Sequence, residues 1–353
     1  MNTNATSVLV AMSGGVDSTA TALMLKDQGY AVYGIHFVFY HESDNLQPVF
    51  DAFENLAIQT GIPIDVVDVR EDFAKTIIQP FIDQYINGIT PFPCALCNKT
   101  LKWPLLLEYA DRLNCGFVAT GHYSQIENWQ EQQVISVAAD PDKDQSFFLW
   151  SIRKEWMPRI LFPLGQTTKV KVRDYLDKVG FTSMAKKKDS LSVCFAGEGY
   201  QQFLEKYVPE GKLNALKGNF VSPEGEVLGP HNGIHLYTVG QRRGFNLNIE
   251  GPLFVIDIDP ETQNITLGPH HQLYKTEFYI TNFYFIDPEK VMRMELDVKI
   301  RYRKQMAKGR LCKTDDDQIL KVVLSEPEYA IAKGQTAVFM QGNLILGGGF
   351  IVN

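Results

Sequence analysis

Residues 13–18, with the sequence Ser-Gly-Gly-Val-Asp-Ser, constrain the fold of this chain more than any other segment. They follow an apolar run at residues 8–12 and precede residues 19–25, whose composition is typical of a helix. A strand, a glycine-rich turn and the start of a helix therefore follow one another. Backbone N–H groups and the positive end of the helix dipole converge at such a turn, which favours an anion such as pyrophosphate. A Gly-Gly turn alone is usually only a tight turn, whereas the complete hexapeptide indicates a nucleotide-binding loop.

This loop lacks the lysine of the common ATPase loop, which follows the second glycine there and reaches the β- and γ-phosphates. Asp17 and Ser18 stand in the corresponding place. The segment resembles the SGGxDS loop of the ATP pyrophosphatases, which cleave ATP between the α- and β-phosphates and place AMP on an oxygen atom of the substrate. The resemblance implies ATP, together with Mg²⁺, as the cofactor of this chain.

Length and composition indicate a globular protein of two or three domains. The chain has 353 residues, which is too long for one ordinary core, and an apolar share of 45%. No apolar run approaches the roughly 20 residues that span a bilayer, and residues 1–6 do not resemble a signal peptide. Five cysteines, an odd number, argue for reduced thiols. We therefore expect a cytoplasmic protein with no membrane partner, and we expect it to be a monomer.

Up to about residue 195 the sequence alternates between strand and helix patterns, which is typical of an α/β domain with a parallel sheet. Strands are predicted at residues 31–39, 64–69 and 117–120, and helices at 50–60, 72–86 and 99–113. Ligands of such sheets bind beyond the carboxyl ends of the strands. The 13–18 loop, Phe37 and Gly121 all lie at such ends, so one crevice can gather them.

Beyond about residue 213, glycine and proline separate short β-type segments. Residues 254–259 and 265–268 are predicted to form a hairpin, and residues 278–352 a small antiparallel barrel or sandwich. We therefore predict an α/β domain at 1–205, a central domain at 206–275 and a β domain at 276–353.

Two cysteines, Cys94 and Cys97, form a C-x-x-C motif before the helix predicted to begin at Lys99. A helix N-terminus favours thiolate over thiol, so we expect a lowered pKa for Cys97. The motif is compatible with half of a zinc site, a redox pair or a catalytic thiol. A zinc site needs four ligands, and the sequence has no second close Cys or His pair. Cys115 and Cys312 are interpreted as packing residues.

Cys194 follows the three lysines at 186–188 in a predicted loop. Such lysines are usually only solvated, but here they would also lower the pKa of the thiol and attract an anionic substrate. Taken alone, this cysteine is more often structural than catalytic.

The net charge of −7 does not indicate a nucleic-acid-binding protein, but cations crowd one segment near the C-terminus. They are Lys299, Arg301, Arg303, Lys304, Lys308, Arg310 and Lys313. The run is either a solvated face or a stripe that contacts phosphates.

Seven motifs occur in the order seen in bacterial tRNA-specific 2-thiouridylases. They are residues 13–18, 94–99, 119–123, 143–146, 186–195, 240–244 and 347–349. The resemblance runs from Ser7 to Phe350 and implies a Rossmann-like ATP pyrophosphatase domain, a small central mixed α+β domain that recognises tRNA, and a C-terminal antiparallel β-barrel. It further implies that sulfur replaces the C2 oxygen of the wobble uridine in the anticodon stem-loop of tRNAs for Lys, Glu and Gln. A sulfur-relay protein or a cysteine desulfurase would donate the persulfide.

The resemblance also assigns residues to roles. Cys194 would carry the persulfide, and Cys97 would release the sulfur. In one version of this mechanism the release forms a Cys97–Cys194 disulfide. The ATP-binding positions would be Ala11, Met12, Ser13, Gly14, Gly15, Val16, Asp17, Ser18, Phe37 and Gly121. The tRNA-contacting positions would be Phe92, Pro93, Cys94, His122, Lys143, Asp144, Gln145, Arg301, Tyr302 and Gln335. An aromatic residue such as Phe92 suits a base that must be splayed out of its loop.

The sequence departs from the family at Phe92-Pro93-Cys94, where many relatives have Asn-Pro-Asp. Phenylalanine can stack on a base but cannot form a hydrogen bond with it. The extra thiol also creates a set of three, Cys94, Cys97 and Cys194, which could hold an iron–sulfur cluster with one open iron. A persulfide route is favoured, and a cluster route stays open.

Two other functions fit part of the sequence. An amide-forming synthetase would need the 13–18 loop but not the cysteines, so Cys→Ser changes would leave it active. A non-enzymatic RNA-binding protein, whose nucleotide-binding loop is no longer active, would not convert ATP to AMP and pyrophosphate.

Overall fold

The computed structural model describes residues 4–188, 193–247, 251–302 and 306–352. By compactness the chain divides into two units. The first contains the chain up to Thr76, Cys94–Phe195 and Asn343–Ile345, and the second contains Ile77–Pro93, Ala196–Gly342 and Leu346–Asn353. The predicted boundaries near residues 205 and 275 fall inside the second unit, so the three-domain division stays a prediction.

The N-terminal half of the chain alternates between strands and helices. In chain order these are β1 (Asn4–Ala11), α1 (Val16–Asp27), β2 (Ala31–Val38), α2 (Gln47–Thr60), β3 (Ile64–Asp68), α3 (Arg70–Phe73), α4 (Gln79–Ile86), α5 (Pro93–Cys97), α6 (Trp103–Arg112), β4 (Cys115–Ala119), β5 (Gln125–Trp129), β6 (Gln132–Ser136), β7 (Ile160–Leu161), α7 (Lys169–Lys178) and α8 (Thr182–Ala185). Two π-helical turns, Ala74–Ile78 and Asn98–Lys102, join α3 to α4 and α5 to α6.

The first unit is built on a parallel sheet with the strand order β3-β2-β1-β4-β7. Strand β1 pairs on both sides, and Val8, Leu9 and Val10 are completely buried. This burial on both faces explains the uninterrupted apolar run. The predicted Rossmann-like α/β architecture is confirmed, and the paired strands β1 and β4 bring residues 13–18 and Gly121 to one edge of the sheet.

Local signals in the sequence place several helix ends. Helix α2 ends at Thr60 and is capped by Gly61, which has the left-handed φ of 60° that favours glycine. The helix predicted from Lys99 instead begins at Pro93, because proline suits the first turn of a helix. Cys97 is therefore the last residue of α5 rather than a residue at the start of a helix.

The second unit contains α4 and the elements that follow the first unit. These are α9 (Tyr200–Tyr207), α10 (Glu210–Asn214), β8 (Gly218–Val221), β9 (Val227–His231), β10 (Phe254–Asp259), β11 (Asn264–Gly268), β12 (Tyr274–Phe285), α11 (Pro288–Val291), β13 (Leu296–Lys299), β14 (Ala307–Lys313), β15 (Ile319–Tyr329), β16 (Thr336–Gln341) and β17 (Leu344–Ile351), of which the first residues of β17 belong to the first unit.

Two all-β layers organise this unit. A sheet with the order β10-β11-β8-β9 contains the predicted β10–β11 hairpin and packs around Phe220, Val255 and Ile265, all completely buried. The strands β12-β15-β14-β13-β16-β17 follow one another, and pairing of β12 with β17 closes them into a six-stranded antiparallel barrel. The predicted C-terminal barrel is therefore confirmed. None of the helices in the described ranges is long and apolar enough to cross a membrane.

Candidate active site

The 13–18 loop closes on itself through its two serines. Gly15 precedes α1 in an extended conformation, and Gly14 has a φ of 71°. Ser18 Oγ accepts from the Ser13 N–H at 3.1 Å and donates to the Gly15 carbonyl at 3.3 Å. The first turn of α1 therefore follows an ordered loop of the kind that binds phosphate groups.

The neighbouring strand β2 fixes the residue before the loop. Met12 donates its N–H to the Ile35 carbonyl at 2.7 Å, and His36 Nδ1 lies 2.7 Å from the Met12 carbonyl. The imidazole stacks on Phe53 with 4.0 Å between ring centroids, and burial lowers the pKa of His36. His36 is therefore neutral and donates from Nδ1. Phe37, predicted to bind ATP, is buried in β2.

A lysine that the sequence analysis did not single out reaches the same loop. Lys169 Nζ lies 2.7 and 2.8 Å from the two carboxylate oxygens of Asp17, and its side chain is only 9% exposed. The Tyr123 hydroxyl donates to the same carboxylate at 3.0 Å. Lys169 is the first residue of α7, where the helix dipole disfavours a cation. That unfavourable position is the signal in the sequence that could have revealed it.

The three candidate thiols differ in exposure. Cys97 is buried, whereas Cys94 and Cys194 are exposed at the surface. Burial raises the pKa of Cys97 to about 11, and the surrounding protein raises the pKa of the other two thiols through desolvation. The expectation of a lowered pKa at Cys97 and Cys194 is therefore wrong, because desolvation outweighs the nearby positive charge.

Lys102 is the cation that opposes this desolvation at all three thiols. Its ammonium group lowers the pKa of Cys94, Cys97 and Cys194, and its backbone N–H further stabilises the Cys97 thiolate. The cation that lowers the pKa of Cys194 is thus Lys102 rather than the predicted lysines at 186–188. Lys102 ends the π-helical turn that follows Cys97, and such turns are frequent at functional sites.

The residue after Cys194 anchors that part of the chain. Phe195 is buried, and its ring centroid lies 5.6 Å from that of Phe73 and 6.4 Å from that of Tyr40. Cys194 therefore sits at the surface beside a fixed aromatic residue. Ser190 and Ser192 of the same motif lie outside the described residues.

Several residues predicted to contact tRNA form the scaffold of the first unit. The Asp144 carboxylate is buried and accepts from Ala138 N–H, Ser146 N–H and Ser146 Oγ at 2.9–3.2 Å, so it is not available to a ligand. Gln145 accepts from the Tyr123 N–H at 3.0 Å and donates its own N–H to the Tyr123 carbonyl. Lys143 is half-buried in the same loop.

His122 contacts two aromatic rings and is neutral. Its Nδ1 is 2.6 Å from Thr120 Oγ1, and its ring is 6.2 Å from Trp103 and 6.3 Å from Phe162. Burial, assisted by the charge of Lys102, holds its pKa well below the usual value. A neutral imidazole can form hydrogen bonds with a base without attracting phosphate by charge.

In the second unit, the predicted tRNA-contacting residues also have partners within the protein. Gln335 donates its amide to the carbonyls of Thr90 at 3.1 Å and Pro91 at 3.3 Å, and so orders the segment that leads to Phe92 and Pro93. Arg301 donates to the Ala330 carbonyl at 2.6 Å and lies 5.3 Å from the centroid of the Tyr329 ring.

Two of the described cations in the basic run near the C-terminus form ion pairs. Lys308 lies 2.5 Å from Asp297, and Arg310 lies 3.9 Å from Glu295. Arg303 and Lys304 lie outside the described residues, and Tyr302 immediately precedes them.

The described parts of the chain contain no group of three or more His, Cys, Asp and Glu side chains placed to hold a metal ion. Cys94, Cys97 and Cys194 are all described, so this structure does not bring the three thiols together as the ligand set of an iron–sulfur cluster.

Three family sequence models match successive parts of the chain. They are described as a tRNA methyl transferase HUP domain, a tRNA methyl transferase PRC-barrel domain and an aminomethyltransferase beta-barrel domain, and they match residues 6–198, 201–269 and 275–351.

Curated relatives match over nearly the whole length. The chain is 42% identical to tRNA-specific 2-thiouridylase MnmA 2 of Phocaeicola vulgatus, covering 98% of this chain and 97% of the relative. It is 40% identical to MnmA 1 of Bacteroides fragilis, covering 98% and 96%, and 38% identical to MnmA of Clostridium botulinum, covering 98% and 97%. A solved 4-thiouridine synthetase–RNA complex with bound ATP is 16% identical, with a TM-score of 0.38 over 58% of this chain and 50% of that one.

Proposed function

The chain belongs to the family of tRNA-specific 2-thiouridylases, and from this premise we propose that it uses ATP and a cysteine persulfide to thiolate the wobble uridine of tRNAs for Lys, Glu and Gln. Thiolation of tRNA uridine follows from the family. The steps, the residues and the tRNA set are our proposal, and the ordered 13–18 loop in the same unit as Cys97 and Cys194 is the observation that carries it.

The first step activates a poor leaving group. The C2 oxygen of the uracil forms a bond to the α-phosphorus of ATP, the bond from that phosphorus to its bridging oxygen breaks, and pyrophosphate leaves with the electron pair. The 13–18 loop would hold the phosphates, with backbone contacts from Phe37 and Gly121. Both carboxylate oxygens of Asp17 accept from Lys169, and this partly exposed carboxylate is also the group in the loop that would hold a magnesium ion. Magnesium would accompany ATP on its phosphates and neutralise part of their charge.

The second step transfers sulfur. The terminal sulfur of a persulfide on Cys194 attacks the activated C2 carbon, and AMP leaves with the former C2 oxygen. The Cys97 thiolate then attacks the Cys194 sulfur, which breaks the persulfide bond, leaves the C2 sulfur on the base and forms a Cys97–Cys194 disulfide. A thiol reductant and a persulfide donor protein would restore the starting state. The exposure of Cys194 supports this role, because a donor protein must reach it.

We propose that Phe92, Pro93 and Cys94 meet the target base and that His122, Lys143, Gln145, Arg301, Tyr302 and Gln335 help to bind the tRNA. The buried carboxylate of Asp144 leaves only its backbone for such a contact. We expect the protein to act as a monomer in the cytoplasm, where tRNA is available and thiols stay reduced.

Mass spectrometry of tRNA nucleosides from a deletion strain tests this proposal. The strain should lack 2-thiouridine, and the wild-type gene should restore it. The Cys194→Ser variant should fail to restore it while its purified protein still binds tRNA, and Cys115→Ser and Cys312→Ser serve as matched controls that should restore it. An amide-forming synthetase would remain active in Cys194→Ser, and an RNA-binding protein with a relic loop would form no AMP.

A further inference from the structure

The 13–18 loop contains no cation, although the reaction proposed for it concentrates negative charge. ATP carries most of its charge on the β- and γ-phosphates, and pyrophosphate gains more as it leaves. Neutral N–H groups and a helix dipole contribute to binding such a group, but catalytic sites for phosphoryl transfer also place Lys, Arg or a metal ion on it. A cation from another part of the chain would add to the charge that magnesium supplies at this position.

Lys169 brings a positive charge to this loop. Its ammonium group lies on the carboxylate of Asp17, in the first turn of α1, although the two residues are 152 positions apart in the chain. The lysine side chain is 9% exposed, whereas that of Asp17 is 34% exposed. The cation is thus shielded from bulk water, while its partner opens toward solvent. A shielded charge acts more strongly on a nearby phosphate than a solvated one.

Local structure fixes Lys169 at this place. Its backbone N–H donates to Asp140 Oδ2 at 2.9 Å, and Thr168 caps helix α7 by accepting from the N–H of Lys171. A buried lysine at the N-terminus of a helix opposes the helix dipole and loses hydration. The ion pair with both oxygens of Asp17 offsets these costs and holds the ammonium group beside the loop.

We propose that Lys169 supplies the cation that the loop lacks, by binding the β- and γ-phosphates of ATP and stabilising pyrophosphate as it leaves. Asp17 would hold the ammonium group in place before the nucleotide arrives. The ammonium group keeps its protons throughout, and the only bonds that change are the one formed by the uracil oxygen to the α-phosphorus and the one broken to the bridging oxygen. This inference rests on the proposed function.

The affinities for ATP and AMP, measured by calorimetry on the purified full-length protein, test the inference. AMP lacks the phosphates that Lys169 would bind, so the Lys169→Met variant should lose about tenfold or more in affinity for ATP and less than about twofold for AMP. Pyrophosphate release with tRNA should fall about 100-fold. Lys169→Arg, which keeps the charge, should retain part of the ATP affinity, and Lys171→Met, at an exposed position of the same helix, should match the wild type.

Equal losses for ATP and AMP in Lys169→Met would show that the ion pair is structural and would overturn the inference, as would unchanged ATP affinity. The proposed function fails in a different way. If Lys169→Met loses affinity for ATP but not for AMP, and the wild-type protein forms no 2-thiouridine, the proposed thiolation is contradicted. The role of Lys169 in binding ATP then still holds.

Discussion

Gly121, at the end of β4, lies so close to the nucleotide loop that a β-carbon on it would be 2.9 Å from the carbonyl carbon of Asp17. This contact requires glycine because the neighbouring atoms belong to the backbone. Gly121→Ala should therefore displace the loop, weaken ATP binding and lower stability by about 1–3 kcal/mol. Thermal melting and ATP calorimetry measure both effects. Gly211→Ala is the control, since a β-carbon there meets open space within α10. Equal ATP affinity in wild type and Gly121→Ala would contradict the close contact.

The buried thiol of Cys97 predicts a pH-dependent reactivity. Since its pKa is about 11, only about one molecule in ten thousand carries the thiolate at pH 7. Alkylation of Cys97 by iodoacetamide should be slower than that of the exposed Cys94 and Cys194, and should accelerate about tenfold per pH unit up to about pH 11. The neutral thiol is the form favoured by burial, so its contribution to stability is complete below the usual cysteine pKa and is lost as the pH rises towards 11.

The Lys102→Met variant tests the effect of the nearby positive charge on the reactivity of the thiols. The ammonium group of Lys102 lowers the pKa of all three thiols, so its removal should slow the alkylation of each of them at a given pH. Peptide mass spectrometry after timed quenching identifies the modified cysteines. If Cys97 reacts as fast as Cys194 at pH 7, the Cys97 thiol is not buried and its pKa is not raised as described.

The substitution Cys94→Asp separates the persulfide route from the cluster route. Cys94 is exposed, and the three thiols are not arranged as a metal-binding group, so the variant should keep substantial activity after aerobic purification. A cluster would instead lose one soft ligand of three, together with its iron. Iron and acid-labile sulfide are measured after anaerobic reconstitution, beside thiolation. Activity that follows iron content, and vanishes in Cys94→Asp, would overturn the persulfide route.

Arg301 is expected to stabilise the folded protein. Loss of its hydrogen bond to the Ala330 carbonyl and of its contact with Tyr329 should destabilise Arg301→Ala by about 1–2 kcal/mol, measured by urea denaturation. Lys308→Ala is the comparison, because its exposed pair with Asp297 contributes little to stability. A change of about 0.7–0.9 in the slope of log affinity against log salt for tRNA, with unchanged stability in Arg301→Ala, would show a direct phosphate contact instead.

The fold could be predicted to a large extent because its signals are local. The apolar run before the loop predicted a strand, which is β1 and is buried, and the helical pattern of residues 50–60 predicted the end of α2. The helix start at Pro93 was missed because the helical pattern was recognised only from Lys99 onwards. Proline is suited to the first turn of a helix, and here the helix forms.

The site was less predictable because it depends on burial and on distant residues. Local charge suggested lowered thiol pKa values, but desolvation of Cys97 is a property of the packed structure. Lys169 reaches Asp17 only through the fold, and no spacing in the sequence connects them. Asp144 matches a family position, yet only the structure shows that its carboxylate is buried and fully engaged.

A single-turnover experiment with ³⁵S-labelled persulfide on Cys194 tests the central claim most directly. The labelled protein is mixed with ATP and unmodified tRNA for Lys, and nucleosides and nucleotides are then separated. We expect the label to move to 2-thiouridine at the wobble position, with one AMP formed for each sulfur transferred. Conversion of ATP to AMP while the label stays on the protein would contradict it.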